Sequence, residues 1–225
     1  MRLVSLLALA LAVLPGAARA ADARHPVVVE LFQSQGCSSC PPANAALIDY
    51  ANRPDRLALT FAVDYWDRLG WKDTFASPQF TERQYAYAHS LGTDVYTPQV
   101  IVNGRVAGVG ASVSDVDAIA READRGAGPE VTVAQDRTTI AAGAAPAGGA
   151  DVWLALFDPR VVEVDIARGE NAGRKLPHRN VVRRLVRLGH WSGEAATFAL
   201  PAEAGLQRAV LVQKPAGPIL AAGRG

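Results

Sequence analysis

The feature that most constrains the fold of this chain is a Cys-Ser-Ser-Cys motif that directly follows a hydrophobic run. Cys37 and Cys40 are its only two cysteines, and the run before them, Val27 to Phe32, is rich in valine. Such a run predicts a strand that is buried on both faces. Two thiols separated by two residues can attack a disulfide and then resolve the mixed disulfide, because the ring that they close is small. The motif therefore predicts redox chemistry at the end of a buried strand.

The first twenty residues have the pattern of a bacterial secretory signal peptide. Arg2 precedes the apolar stretch from Leu3 to Leu14, and Ala18-Arg19-Ala20 offers a small-residue cleavage site. No later segment has about 20 uninterrupted apolar residues, so we expect cleavage after Ala20, a periplasmic or secreted product and no stable membrane insertion. Export would place both cysteines in an oxidising compartment, where a disulfide persists and partner proteins reset its redox state.

The charge balance bears on the class of partner. Lys and Arg number 23 and Asp and Glu number 22, which gives a formal net charge of +1. A chain with so small a net charge has no strong electrostatic attraction for nucleic acid, and we predict that the protein binds none. The expected partners are protein thiols and disulfides, together with a redox partner protein.

Residues 21–126 have the pattern of an α/β domain. A helix with apolar residues at helical spacing follows the motif, and residues 57–63 form a second buried strand, so the three elements make a parallel βαβ unit. The aromatic-rich residues 64–91 predict a helical insertion with its own core, and a substrate-facing lid is an alternative that is compatible with it. A hairpin that turns at Asn103-Gly104 and a closing helix over residues 111–125 complete the unit.

Residues 129–225 have a different pattern, because Gly126-Ala127-Gly128-Pro129 breaks the periodicity and short valine-rich runs follow. These runs predict a small all-β, sandwich-like domain. The predicted strands cover residues 130–134, 138–142, 151–157, 161–167, 197–200 and 207–213, with further pairing near 219–220. Residues 179–191 fit either a helix or an extension of the sheet. We expect their arginines on a solvated face, a docking patch for an acidic partner being the alternative.

The order of these elements resembles the thioredoxin fold over about residues 26–125. More narrowly, the stretch from Val29 to Pro42, with Asp64-Tyr65-Trp66-Asp67 and Leu69-Gly70-Trp71-Lys72-Asp73, resembles a secreted bacterial family of unknown function, domain of unknown function 1223, with a thioredoxin-like domain. The resemblance implies an α/β thioredoxin-like domain with a helical insertion, followed by a small all-β domain. It implies no particular substrate.

The resemblance also implies the roles of four residues. Cys37 matches the attacking thiol, Cys40 the resolving thiol, and Pro98 the cis-proline that holds the backbone of Thr97 beside the sulfurs, ready to pair with an extended substrate. Independently, backbone donors at the start of the following helix would favour a thiolate at Cys37. We predict a thiol-disulfide oxidoreductase that needs neither a cofactor nor a metal, and whose sulfurs a substrate can reach.

Two carboxylates are candidates for proton transfer. Glu30 lies seven positions before Cys37, so it would face the motif only if a bulge intervened; otherwise it would be paired or solvent-facing. Asp64 follows the second strand and could approach the motif, because parallel strands end together. The alternative for Asp64 is a cap or turn residue.

Two other classes of function compete with the oxidoreductase. A periplasmic copper(I) carrier is one, since copper(I) favours thiolate pairs; the histidines are His25, His89, His178 and His190, of which His89 is the best candidate for a third ligand. Met1 is the only methionine, so thioether ligands would be absent after cleavage. The other is a non-catalytic binding or scaffold protein that uses the thioredoxin-like part as a platform. A purely structural disulfide is disfavoured, because so short a ring removes little chain entropy.

Overall fold

The structure is a computed structural model that describes residues 21–201 and 203–225. The predicted signal peptide, residues 1–20, lies outside the described residues. Within the described ranges, no helix combines the length and apolarity that a membrane crossing requires.

The first half of the described chain contains four strands and three α-helices. In order these are β1 (Val27–Gln33), α1 (Pro41–Tyr50), β2 (Arg56–Ala62), α2 (Pro78–Leu91), β3 (Gln99–Val102), β4 (Val106–Gly108) and α3 (Val113–Glu122), with a short 3-10 turn at Asp67–Leu69. Strands β1 and β2 run parallel in unbroken register, from Val27 opposite Arg56 to Gln33 opposite Ala62. The predicted βαβ unit is therefore present as a local arrangement.

The second half consists of strands. They are β5 (Val131–Val133), β6 (Arg137–Ile140), β7 (Ala150–Asp158), β8 (Val162–Asp165), β9 (Lys175–His178), β10 (Val181–Trp191), β11 (Ala196–Ala199), β12 (Gln207–Gln213) and β13 (Ile219–Arg224). One eight-stranded sheet has the order β13-β12-β7-β10-β2-β1-β3-β4; a three-stranded sheet has the order β11-β6-β5, and β8 and β9 form a hairpin.

The predicted fold class, an α/β thioredoxin-like domain followed by a separate β-sandwich, is wrong. Strand β10 pairs with β2 through Val181 and Thr60, so strands of the second half extend the sheet of the first. The described chain is mostly β, with three helices of 10, 14 and 10 residues. The physical reason is the open edge of β2, whose backbone groups need partners that the first half does not supply. The predicted domain limits, 21–126 and 129–225, stay a prediction.

Residues 179–191, whose type the sequence left open, form most of this connection. The amide of Thr60 donates to Asn180 O (2.9 Å) and its hydroxyl donates to Arg179 O (2.7 Å), while Asn180 Nδ2 donates to Ala58 O (2.7 Å). The exposed arginines of β10 include Arg184 and Arg187, which pair with Glu203 and Asp151. The segment thus joins the sheet through its backbone and the Asn180 side chain, and it leaves Arg184 and Arg187 on the surface.

The two faces of β1 serve two different cores. Val29 and Leu31 pack with residues of α1 and α3, whereas Val28 and Phe32 pack on the other face with residues of α2. Successive side chains of a strand point to opposite faces, so neighbouring residues of β1 enter different cores. The carboxyl end of β1 is thereby fixed from both sides, and the cysteines follow directly after it.

Candidate functional site

Cys37 and Cys40 form a disulfide between the end of β1 and the start of α1. Their Cα atoms are 5.5 Å apart. The amide of Cys37 donates to Ser34 O (3.1 Å) and that of Cys40 donates to Cys37 O (3.2 Å), which folds the motif into a tight turn. Cys40 is the N-cap of α1, and Pro41 occupies the first helical position, where a proline loses no intrahelical hydrogen bond. The helix therefore begins immediately after the motif, with Pro41 and Pro42 as its first two residues.

The Thr97–Pro98 peptide lies beside the disulfide. This peptide bond is cis, and it directly precedes β3, the antiparallel neighbour of β1. Cys37 Sγ is 3.7 Å from the carbonyl oxygen of Thr97, and Trp66 Nε1 donates to Thr97 Oγ1 (2.8 Å). All four residues that the sequence singled out thus meet at one end of the sheet.

Both sulfur-bearing residues are buried, which differs from the expected accessibility. Cys37 is 1% exposed and Cys40 is 0% exposed. In this conformation a substrate disulfide of ordinary size cannot approach either sulfur. Any exchange therefore requires displacement of the residues that cover the motif.

One group of residues that bonds the cysteine loop lies in the connection between β8 and β9, more than 130 positions after the motif. Asn171 Nδ2 donates to Gln35 O and to Cys37 O, each at 2.9 Å, and Arg174 Nη1 donates to Asn171 Oδ1 (2.8 Å). Glu170 Oε2 accepts from both the amide (3.1 Å) and the hydroxyl (2.7 Å) of Ser38. We call Glu170 and Asn171 the clasp. The sequence pattern does not mark the clasp, because Glu170 and Asn171 lie in a polar turn after the strand predicted over residues 161–167.

A second group lies in the loop between β2 and α2. Trp71 Nε1 donates to Gln35 Oε1 (2.9 Å), and the Asp73 carboxylate accepts from the amides of Gln35 (2.7 Å) and Phe75 (2.8 Å). Burial raises the pKa of Asp73 to about 6, although these amide donors act in the opposite direction. The insertion predicted over residues 64–91 thus has its α-helix in its second part. Its first part bonds Gln35, just before the motif.

Glu30 does not face the disulfide. No bulge interrupts β1, and Arg83 Nε donates to Glu30 Oε1 (2.8 Å). Tyr87 donates its hydroxyl proton to Glu30 Oε2, and Gln213 Nε2 donates to the Tyr87 oxygen (2.8 Å). Burial raises the pKa of Tyr87 well above its ordinary value. Glu30 is therefore a salt-paired residue and not a proton carrier for Cys37.

Asp64 and the histidines do not join the disulfide either. Asp64 Oδ1 accepts from the Thr81 hydroxyl (2.6 Å), which makes it an anchor for the first turn of α2. His89 lies exposed near the end of α2, and His178 is buried, which lowers its pKa to about 4. In residues 21–201 and 203–225, no three His, Cys, Asp or Glu side chains converge as a metal site. The described residues thus give the copper alternative no third ligand.

Comparison with known proteins identifies relatives but no activity. The model of the family described as "Protein of unknown function (DUF1223)" matches residues 28–213. A crystal structure of an Agrobacterium tumefaciens protein is 36% identical, with a TM-score of 0.73, over 92% of this chain and 95% of that chain. HBP35 of Porphyromonas gingivalis shares the fold alone, at 16% identity and a TM-score of 0.59, over 90% of this chain and 75% of that chain. No curated protein matches. The predicted membership is confirmed: the chain belongs to the DUF1223 family.

Proposed function

We propose that this protein is an exported thiol-disulfide oxidoreductase that works by exchange at Cys37 and Cys40. The observation that carries the proposal is the 3.7 Å contact between Cys37 Sγ and the Thr97 carbonyl oxygen. This contact places one sulfur of the pair beside a backbone segment that precedes a strand, where an extended partner can pair. A disulfide placed only to staple β1 to α1 would not need such a neighbour.

In the reductive direction, the dithiol form of the protein supplies two electrons. The Cys37 thiolate attacks one sulfur of a partner disulfide, a mixed disulfide forms, and the other partner sulfur leaves as a thiolate that takes a proton. Cys40 then loses its proton, and its sulfur attacks Cys37 Sγ. The Cys37–Cys40 disulfide forms and the second partner thiol is released, so the partner is reduced and the protein oxidised. The oxidative direction is the exact reverse, with a partner dithiol as the electron donor.

The neighbours of the two cysteines support an assignment of their roles in this scheme. Cys40 lies at the N-cap of α1, and the first turn of the helix follows it directly. Cys37 precedes Ser38, an exposed residue that the clasp holds, and its sulfur lies against the Thr97 carbonyl oxygen, beside the backbone with which a partner would pair. Cys37 is therefore the attacking residue and Cys40 the resolving residue.

The test is a measurement of the reduction potential in glutathione buffers, together with insulin reduction by the full chain. We expect Cys37→Ser to abolish exchange. Ser39→Ala is the matched control, because Ser39 is an exposed neighbour of the same motif, and it should retain exchange. Cys40→Ala should accumulate mixed disulfides with partner proteins. A disulfide that excess dithiothreitol does not reduce in the folded protein would overturn the proposal.

A non-catalytic platform is the second candidate, and one observation favours it: both cysteines are at most 1% exposed. In that case the disulfide would be inert and the protein would act through other surfaces. Alkylation of the reduced, folded protein separates the two candidates. An oxidoreductase should react at Cys37 in its native state, whereas an inert pair should react only after global unfolding.

A further inference from the structure

The carboxylate of Glu170 makes two hydrogen bonds to the residue that follows Cys37. Its Oε2 atom accepts from the Ser38 amide at 3.1 Å and from the Ser38 hydroxyl at 2.7 Å. Both bonds lower the pKa of Glu170, so this side chain is ionised at neutral pH. A full negative charge therefore sits one residue from the sulfur that we assign as the attacking group.

This arrangement affects the Cys37 thiolate in two ways. The amides that follow an attacking cysteine are the donors that a thiolate at a helix start uses, and Glu170 occupies the first of them. The carboxylate also repels a second negative charge nearby. Both effects favour the protonated thiol of Cys37 in the reduced protein.

Other charged groups bond the residues that flank the motif, or the residues that hold them. In the loop after β2, Asp73 accepts from the Gln35 amide and Asp67 Oδ1 accepts from the Asp73 amide (3.0 Å), so both carboxylates act in the same direction as Glu170. In the connection between β8 and β9, Arg174 donates to Asn171 and acts in the opposite direction. Of these groups, only Glu170 bonds a residue between the two cysteines.

We propose that Glu170 is a positioning residue that holds Ser38 and thereby opposes formation of the Cys37 thiolate, which stabilises the disulfide relative to the dithiol. The inference rests on the proposed function and names one determinant of its direction. A couple whose reduced form is less stable has a lower reduction potential and is a stronger reductant.

The first test is a pH titration of Cys37 in the Cys40→Ala chain, in which the absorbance of the thiolate reports the ionised fraction. Glu170→Gln keeps a hydrogen-bond acceptor for Ser38 and removes only the charge. We expect it to lower the pKa of Cys37 by about half a unit to one unit at low salt. The difference should shrink in 1 M salt, where the Debye length is about 3 Å, because Glu170 is exposed.

The second test uses the unmodified cysteine pair in glutathione buffer, at a pH above the Cys37 pKa. Glu170→Gln should shift the equilibrium toward the dithiol by about three- to tenfold, and a tenfold shift corresponds to about 30 mV. Glu163→Gln is the matched control, because Glu163 lies in the same hairpin and pairs with Lys175 at 2.9 Å. It should change neither the titration nor the equilibrium.

These measurements distinguish failure of the inference from failure of the proposed function. An unchanged or higher Cys37 pKa in Glu170→Gln, or an equal shift in Glu163→Gln, would overturn the role of Glu170 even if the protein exchanges disulfides. If instead the wild-type pair is inert toward partners, the proposed function fails, while the titration in the Cys40→Ala chain still reports on Glu170.

Discussion

Two buried polar clusters lie along β1, and they differ in the elements that supply their residues. The cluster in the middle of the strand pairs Glu30 with Arg83 and adds Tyr87 and Gln213, all from regular helices and strands. The cluster after the strand surrounds the disulfide, and its covering residues come from two loops. Loops open at lower free energy than packed strands and helices do. We infer that the first cluster stabilises the fold, and that the second opens at lower free energy, as the proposed function requires.

The largest effect should come from opening the mid-strand cluster. Arg83→Met leaves the Glu30 carboxylate buried without its cation, which we expect to cost about 3–5 kcal/mol of unfolding free energy. Urea unfolding measures the loss. Arg184→Met removes a surface partner of Glu203 and should cost less than about 1 kcal/mol. Equal losses in the two variants would contradict the assignment of a stabilising role to the Glu30 cluster.

The next effect concerns the carboxylate in the disulfide cluster. The folded pKa of Asp73, about 6, exceeds its ordinary value of 3.8, so the native state holds this proton to higher pH than the unfolded chain does. Asp73 therefore disfavours folding progressively from pH 4 to 6, by about 2–3 kcal/mol in total.

The stability of Asp73→Asn relative to wild type should rise by that amount over the same window, as measured by urea unfolding at several pH values. A difference between the two proteins that does not change with pH would contradict the burial of an ionisable Asp73. Asp151→Asn, at a surface pair with Arg187, serves as the control.

The smallest of the three effects should appear at the clasp. Asn171→Ala removes two hydrogen bonds to loop carbonyls, and a loss of about 1.4 kcal/mol would make local opening tenfold more frequent. Alkylation of Cys37 in the reduced protein should accelerate by about that factor, and the free energy of global unfolding should fall by about the same 1.4 kcal/mol, because the opened and the unfolded states both lack the two bonds. Asn52→Ala, at an exposed bond to Arg179, should leave the rate unchanged. An unaltered rate in Asn171→Ala would show that a different element limits access.

The sequence predicts local features well, because each has a local cause. The valine-rich run became β1, Asn103 takes a positive φ of 50° at the hairpin turn, and the helix predicted over residues 111–125 is present as α3. The family is confirmed, and the Cys37–Cys40 pair is present as a disulfide. Each of these features depends on residues close together in the chain.

The features that sequence analysis did not predict depend on contacts between distant residues. The pairing of Thr60 with Val181 joins segments about 120 positions apart, and nothing in either strand specifies its neighbour. The bonds of Glu170 and Asn171 to the cysteine loop have the same character. Hydrophobic periodicity shows that a strand has buried faces, but not which strand lies at its edge. The prediction of the fold class was therefore wrong at the pairing of β2 with β10, where the sheet continues from the first half of the chain into the second.

The wide separation of the clasp from the disulfide gives synthesis of this chain a definite order of events. A polypeptide made from its amino terminus presents both thiols long before residues 170 and 171 exist. Until β8 and β9 dock, the clasp cannot hold Ser38 and the carbonyls of Gln35 and Cys37. The clasp therefore closes on the cysteine loop only after most of the chain has been made, and the topology sets the timing of that closure.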